Sequence, residues 1–310
     1  MARVVTAGID GTPESAAAAH WAAREAMARR CSLQLAHIRV AESALDRMVV
    51  PEEDDAPRRQ AEGLVGDVTA VLAERFPSLV VTAEVTEGEP AWALTELSKT
   101  SELLVIGSRG LSTLGGFLVG SVALPTVAHT QCPVVLVRAE AGPRDRTDDA
   151  TDREGREDGE GREGREGTAP GMVLGVEIGH PCEELFAFAF EAAQRGSMTL
   201  NIRHGWEPPP VYGSRPMPLA PMALEDLLDE RADALAKMVR PWCEKYPGVD
   251  VDVRAVLEHP APMLVKAAEN ASLLVVGRRH RSRRLGPHVG PVPHAVMHHS
   301  RTPVAIVPHS

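Results

Sequence analysis

The chain has 310 residues, enough for two ordinary domains, and aromatic content is low at 4%. Its formal net charge of −10 argues against a nucleic-acid-binding surface as the main role. Four scattered cysteines (Cys31, Cys132, Cys182 and Cys243) form no C-x-x-C pair and suit a reducing, cytoplasmic setting. The start carries no signal-peptide core, and no apolar run approaches the ~18 residues of a membrane span.

In chain order, apolar patterning predicts strands near 3–9, 32–39, 79–85, 102–107 and 133–137, with helices near 13–30, 56–76, 89–99 and 120–130. The Ala-rich segment from Glu14 to Arg30 has the long apolar face of a helix covering a sheet. The run Leu103-Leu104-Val105-Ile106 reads as a buried strand and exits into Gly107-Ser108-Arg109-Gly110. Nine residues later, Gly120-Ser121-Val122 opens a short helix. Glycine lets a backbone come close to a ligand, since no Cβ intervenes. A Gly-Ser pair at a helix start adds free N–H groups, a hydroxyl and the positive end of the dipole, which is phosphate-binding chemistry. The alternative is a glycine-rich loop without a ligand. The spacing matches neither G-x-x-x-x-G-K-[ST] nor G-x-G-x-x-G.

Residues 140–171 join this half to a second one. The stretch Arg153-Glu154-Gly155-Arg156-Glu157-Asp158-Gly159 lacks apolar residues, so disorder is expected, either as a tether or as a partner-binding tail. The second half repeats the first. Leu103-Leu104-Val105-Ile106-Gly107 aligns with Leu273-Leu274-Val275-Val276-Gly277, and Gly120 with Gly290, at an offset of 170. Nearer the start the offset is 167, pairing Gly8-Ile9-Asp10 with Gly175-Val176-Glu177. Strands are predicted near 172–177, 197–204, 249–255, 272–277 and 303–307. A Pro-rich stretch from Glu207 to Pro221 follows the second of these. Strand–helix alternation implies an α/β fold, a doubly wound parallel sheet with helices on both faces and a ligand crevice at the carboxyl ends of the strands.

The pattern Gly-x2-Gly-x9-Gly-(Ser/Thr) near the end of a ~140-residue α/β unit resembles the universal stress protein family, in its ATP-binding branch. The start Val4-Val5-Thr6-Ala7-Gly8-Ile9-Asp10-Gly11-Thr12 and the ending His129-Thr130-Gln131-Cys132-Pro133-Val134 agree with it. The resemblance implies two tandem Rossmann-like domains of the adenine nucleotide alpha hydrolase type, 1–139 and 172–310, each a five-stranded parallel sheet. It implies a cytoplasmic, nucleotide-dependent stress-response protein binding ATP in its first domain, with or without Mg2+. Its partners would be a second copy, or the two domains as an intramolecular pseudo-dimer through 134–137 and 304–307, plus an unknown protein. Neither nucleic acid nor membrane is expected.

Site roles follow from the same resemblance. Gly8, Gly107 and Gly110 would allow close backbone approach, and Gly120, Ser121 and Val122 would donate to phosphates. Asp10 would accept from ribose or help hold a cation, or simply form the turn before Gly11. Arg109 would offset phosphate charge or remain solvated. Ile38 would pack on adenine or belong to the core. In the second half, His280 replaces a glycine, Pro291 the serine and Glu177 the aspartate, so weak or no ATP binding is expected there. The cluster Arg278, Arg279, His280, Arg281, Arg283 and Arg284 would attract an anion or be a solvated loop. His294 and His298 have the i, i+4 spacing of metal ligands, without a Cys or carboxylate partner. A slow ATPase or adenylating enzyme, and a dimerisation module that binds no nucleotide, are the competing functions. No catalytic constellation is legible in the spacing.

Overall fold

Ten strands lie side by side in a single sheet in the computed structural model, which describes residues 3–40, 56–108, 120–139, 170–180, 182–207, 221–279 and 289–309. The first half runs β1 (Val4–Gly8), α1 (Pro13–Arg29), β2 (Ser32–Arg39), α2 (Ala56–Arg75), β3 (Val81–Glu87), α3 (Pro90–Ser98), β4 (Leu103–Gly107), α4 (Ala123–His129) and β5 (Val134–Val137). The second half runs β6 (Met172–Gly175), α5 (Glu183–Gly196), β7 (Leu200–Gly205), α6 (Pro221–Lys245), β8 (Val251–Val256), α7 (Pro260–Ala267), β9 (Leu273–Arg279), α8 (Pro291–His299) and β10 (Val304–His309). The strand order is β3-β2-β1-β4-β5-β10-β9-β6-β7-β8.

Every pairing within a half is parallel, and the register is the same in both. Val5 faces Leu103 where Met172 faces Leu273, and Leu33 faces Val81 where Leu200 faces Val251. The halves meet through β5 and β10, which run antiparallel with Val304 opposite Leu136 and Ile306 opposite Val134. The final strands thus pair within one chain, and two five-stranded sheets become one.

Strand alternation sorts the apolar residues into two layers. Val5, Ala7, Leu33, Leu35, Leu103 and Val105 face α1 and α2. Leu104, Ile106, Val134 and Leu136 face α3 and α4 on the other side. Both layers continue into the second half. Each fully buried Leu or Val contributes roughly 1.5–3 kcal/mol relative to exposure. The α1 helix presents Ala18, Ala19, Ala22, Ala23 and Ala26 to the sheet. In its counterpart α5, Phe186 and Phe190 pack on Trp242, and Phe190 also meets Tyr246, with ring centroids 5.5–5.9 Å apart for these contacts.

Local signals set the ends. The Thr12 hydroxyl accepts from Ser15 N at 3.2 Å and Pro13 opens α1, while Arg30 closes it in the left-handed region at φ 56°. Three strands start two or more residues later than predicted, β8 among them, where Val249 N donates to Tyr246 O at 3.1 Å and the strand waits until Val251. Leu79 N donates to Phe76 O at 2.9 Å, so a turn delays β3 to Val81. Ser197 caps α5 at φ 49°, which delays β7 to Leu200. The expected disordered tether lies, but for Pro170 and Gly171, outside the described residues. So do Arg109, Gly110, residues 111–119, most of the Pro-rich stretch and residues 280–288.

Candidate functional site at the carboxyl ends of the first-half strands

Because β1 pairs with β4, Gly8 and Gly107 leave the sheet side by side. Strand order reverses there, with β2 on one side and β5 on the other, which is where ligands enter doubly wound sheets. Packing demands a glycine at Gly107 and crowds any side chain at Gly8. A Cβ on Gly107 would lie 2.7 Å from Glu14 C and Ser15 N, so the first turn of α1 sits directly on this residue. A Cβ on Gly8 would meet Ile106 at 3.2 Å and Leu94 at 3.3 Å. At Gly107 the backbone that comes close is that of α1.

Gly120 differs. Among the described residues nothing stands within 4 Å of where its Cβ would be. The N–H groups of Gly120, Ser121 and Val122 make no hydrogen bond to any described residue. Val122 O accepts from Thr126 N at 3.1 Å, and Gly120 O from Ala123 N at 3.1 Å. The segment therefore presents donors, while the carbonyls of Gly120 and Val122 are already committed to the helix. Pro125 falls in the first turn of α4, where a missing N–H costs nothing.

Asp10 stands in an exposed turn. One carboxylate oxygen accepts from Thr12 N at 3.0 Å and from the Thr12 hydroxyl at 2.5 Å, while Gly11 takes φ +83°. The turn role is thus real. Just before it, Ile9 O accepts from His37 Nδ1 at 2.7 Å, and Ile9 N donates to Ala36 O at 2.8 Å. A cavity of about 360 Å³ opens beside this turn, lined by Asp10, Gly11, His37, Arg39, Gln60 and Leu64 among others. Ile38, next to His37, points the other way and packs with Val122 against the layer under α3 and α4. A larger groove of about 960 Å³ lies between β3 and α2, away from the glycine segments.

The equivalent cleft of the second half is filled. Trp206 stands where the repeat places Arg39, and Arg231 where it places Ala61. Trp206 is only 8% exposed, with the Arg231 guanidinium 5.5 Å from its ring centroid. Glu177, the counterpart of Asp10, pairs with Arg279 at 3.4 Å. Pro291 opens α8 and brings no N–H.

One expectation is overturned outright. Arg278 belongs neither to an anion-attracting cluster nor to a solvated loop. It is 2% exposed, and it donates from Nη1 to Ala128 O at 3.1 Å and from Nη2 to Thr130 O at 2.5 Å. Burial pulls its pKa below the usual arginine range. Its neighbours His280, Arg281, Arg283 and Arg284 lie outside the described residues.

His37 escaped the sequence reading. Its second-half counterpart His204 makes the same bond, Nδ1 to Val176 O at 3.0 Å. Aligning the halves pairs these histidines, and that signal was available. Ser108 was missed as well: it is 2% exposed and its buried hydroxyl has no hydrogen-bond partner among the described residues. All four cysteines are free thiols, and burial pushes Cys132 up to about 12. The His294 and His298 rings lie 4.5 Å apart. Among the described residues no group of three or more His, Cys, Asp or Glu is placed to hold a metal ion. No described helix is long and apolar enough to cross a membrane.

The model of the universal stress protein family matches residues 1–138 and again 172–308. Universal stress protein Rv2005c of Mycobacterium tuberculosis is 31% identical over 310 residues, spanning 97% of this chain and 96% of that one. Universal stress protein Rv1996 of the same organism is 29% identical over 324 residues, covering 97% and 94%. Among solved structures, a universal stress protein from Archaeoglobus fulgidus shares the fold with a TM-score of 0.65 at 13% identity, covering 99% of this chain and 98% of its own.

Proposed function

Since this chain belongs to the universal stress protein family, we propose that it is a tandem member that binds one ATP in its first half, 1–139, and none in its second, 172–310. The observation carrying this reading is the segment Gly120-Ser121-Val122: three successive N–H groups without a partner among the described residues, beside a glycine that packing does not demand. Hydrogen bonds to a charged phosphate contribute about 1.5–3 kcal/mol each, so a few of them reach micromolar affinity. The Ser121 hydroxyl would add a donor, and Arg109 and Gly110 would flank the phosphates. Asp10 would accept from the ribose or help hold a divalent cation, with its turn fixed by Thr12 and by His37 on Ile9 O. The cavity beside Asp10 is of nucleoside size.

The function that follows is nucleotide-dependent binding in a stress response. ATP would bias contacts with a partner and would not be turned over, and a cytoplasmic location is part of this reading. Internal pairing of β5 with β10 favours the intramolecular pseudo-dimer as the working unit.

Calorimetric titration of ATP tests the proposal. One ATP per chain is expected, with Gly120→Ala and Ser121→Ala each weakening binding about tenfold at unchanged melting temperature. Two bound ATP per chain, no uptake at millimolar ATP, or full affinity in both variants would refute it. Steady release of phosphate at many turnovers per second would return the enzyme reading.

A further inference from the structure

Two arginines cross the junction in opposite directions. By strand alternation Arg278, like Leu274 and Val276, points to the face that carries α4 and α8. Arg138, just past β5, follows Val134 and Leu136 to the same face. Arg278, from the second half, closes the C-terminal end of α4 in the first through Ala128 O and Thr130 O. Arg138, from the first half, closes the C-terminal end of α8 in the second through Met297 O at 3.0 Å and His298 O at 2.9 Å. The repeat does not align these residues with each other, since Arg278 corresponds to Ser108 and Arg138 to Pro308. The two contacts are therefore separate solutions to one packing problem. In each, a cation sits on carbonyls at the negative end of a helix dipole.

The two contacts serve different ends. α4 has seven residues and ends in Thr130, with no αL glycine to close it. A helix this short is marginal without tertiary support. Four residues separate its last turn from Val122, so whatever fixes one end fixes the other. We propose that Arg278 is a positioning residue for the first-half nucleotide segment, supplied in cis by the half that has lost its own site. The idea rests on the ATP reading above. It gives the degenerate half a role: its β9 side chain holds Gly120, Ser121 and Val122 at the carboxyl ends of β1 and β4. By linkage, ATP bound there must also tighten the junction.

The test is calorimetric titration of ATP into the full chain and into Arg278→Met, Arg278→Lys and Arg138→Met. Arg278→Met is expected to weaken ATP about fivefold or more, within the usual range of coupling between sites, and Arg278→Lys less, because the ammonium keeps the charge without the fork. Arg138→Met is expected to lower the melting temperature similarly and leave ATP affinity unchanged. Equal affinity in Arg278→Met and the parent chain, or equal losses in the two Met variants, would overturn the inference while the nucleotide reading stands. If the parent chain takes up no ATP, both fall together. Should Arg278→Met not fold, Arg278→Lys decides: weakened binding supports the role and unchanged binding overturns it.

Discussion

The two halves share a register residue for residue, yet their clefts are built from opposite choices. At the ends of β1 and β2 the first half leaves a cavity of about 360 Å³ beside Asp10, with Arg39 and Ala61 where the second half has Trp206 and Arg231. At the ends of β6 and β7 the second half inserts Trp206 under Arg231 and pairs Glu177 with Arg279. The helices follow the same pattern, with alanines on α1 and phenylalanines on α5. One backbone plan thus supports either an open crevice or a filled one. The filling is done by side chains, without change of topology.

Emptying the filled cleft is expected to have the largest effect. Trp206→Ala should cost about 3–5 kcal/mol in chemical denaturation, the range for a buried large aromatic. Its first-half counterpart Arg39→Ala should cost under about 1 kcal/mol, since Arg39 forms a partly exposed ion pair with Glu87. Equal losses would mean that the two clefts do not differ in packing.

The aligned glycines Gly107 of β4 and Gly277 of β9 sharpen the contrast. Gly107→Ala should destabilise by about 1–3 kcal/mol, because its Cβ would meet α1 backbone that cannot step aside. Gly277→Ala should cost less, because its Cβ meets the His309 ring at 2.9 Å, and a side chain can move. Loss of ATP binding in Gly107→Ala would accordingly report on the fold, and Gly120→Ala is the better probe of the ligand.

A smaller effect is expected from pH. Burial lowers the pKa of His204, as it does that of His298, so the folded state favours the neutral ring. The unfolded chain then binds more protons below about pH 6.5, and stability, full above that pH, falls as pH drops towards the lowered folded values. Melting curves between pH 7.5 and about 5 should show the decline, and His204→Gln should flatten it. An unchanged slope would remove His204 as a contributor.

Much of the fold was legible in the sequence. The repeat of Leu103-Leu104-Val105-Ile106-Gly107 in 273–277 exposed the duplication, and alternation of strand and helix implied the parallel order within each half. Gly8 and Gly107 were legible as candidate site residues through the family resemblance. Their packing role was not, because the contact of Gly107 with Glu14 and Ser15 joins residues far apart in the chain. Arg278 was misread for the same reason. In a run of arginines nothing in the sequence says that one of them is buried, and only the carbonyls of Ala128 and Thr130, brought in by the antiparallel junction, make that burial tolerable.

Periodicity, glycine spacing and internal repetition belong to the chain itself, because hydrophobic patterning and backbone freedom act over a few residues. They determined an α/β pair of halves, the family pattern and the segment from Gly107 to Val122. Where the last strands pair, which cleft is filled and which arginine crosses between halves were decided by the tertiary structure. The arginine contacts need carbonyls that arrive only when β5 lies against β10, and the filled cleft needs Trp206 and Arg231, distant in sequence, to meet within the second half.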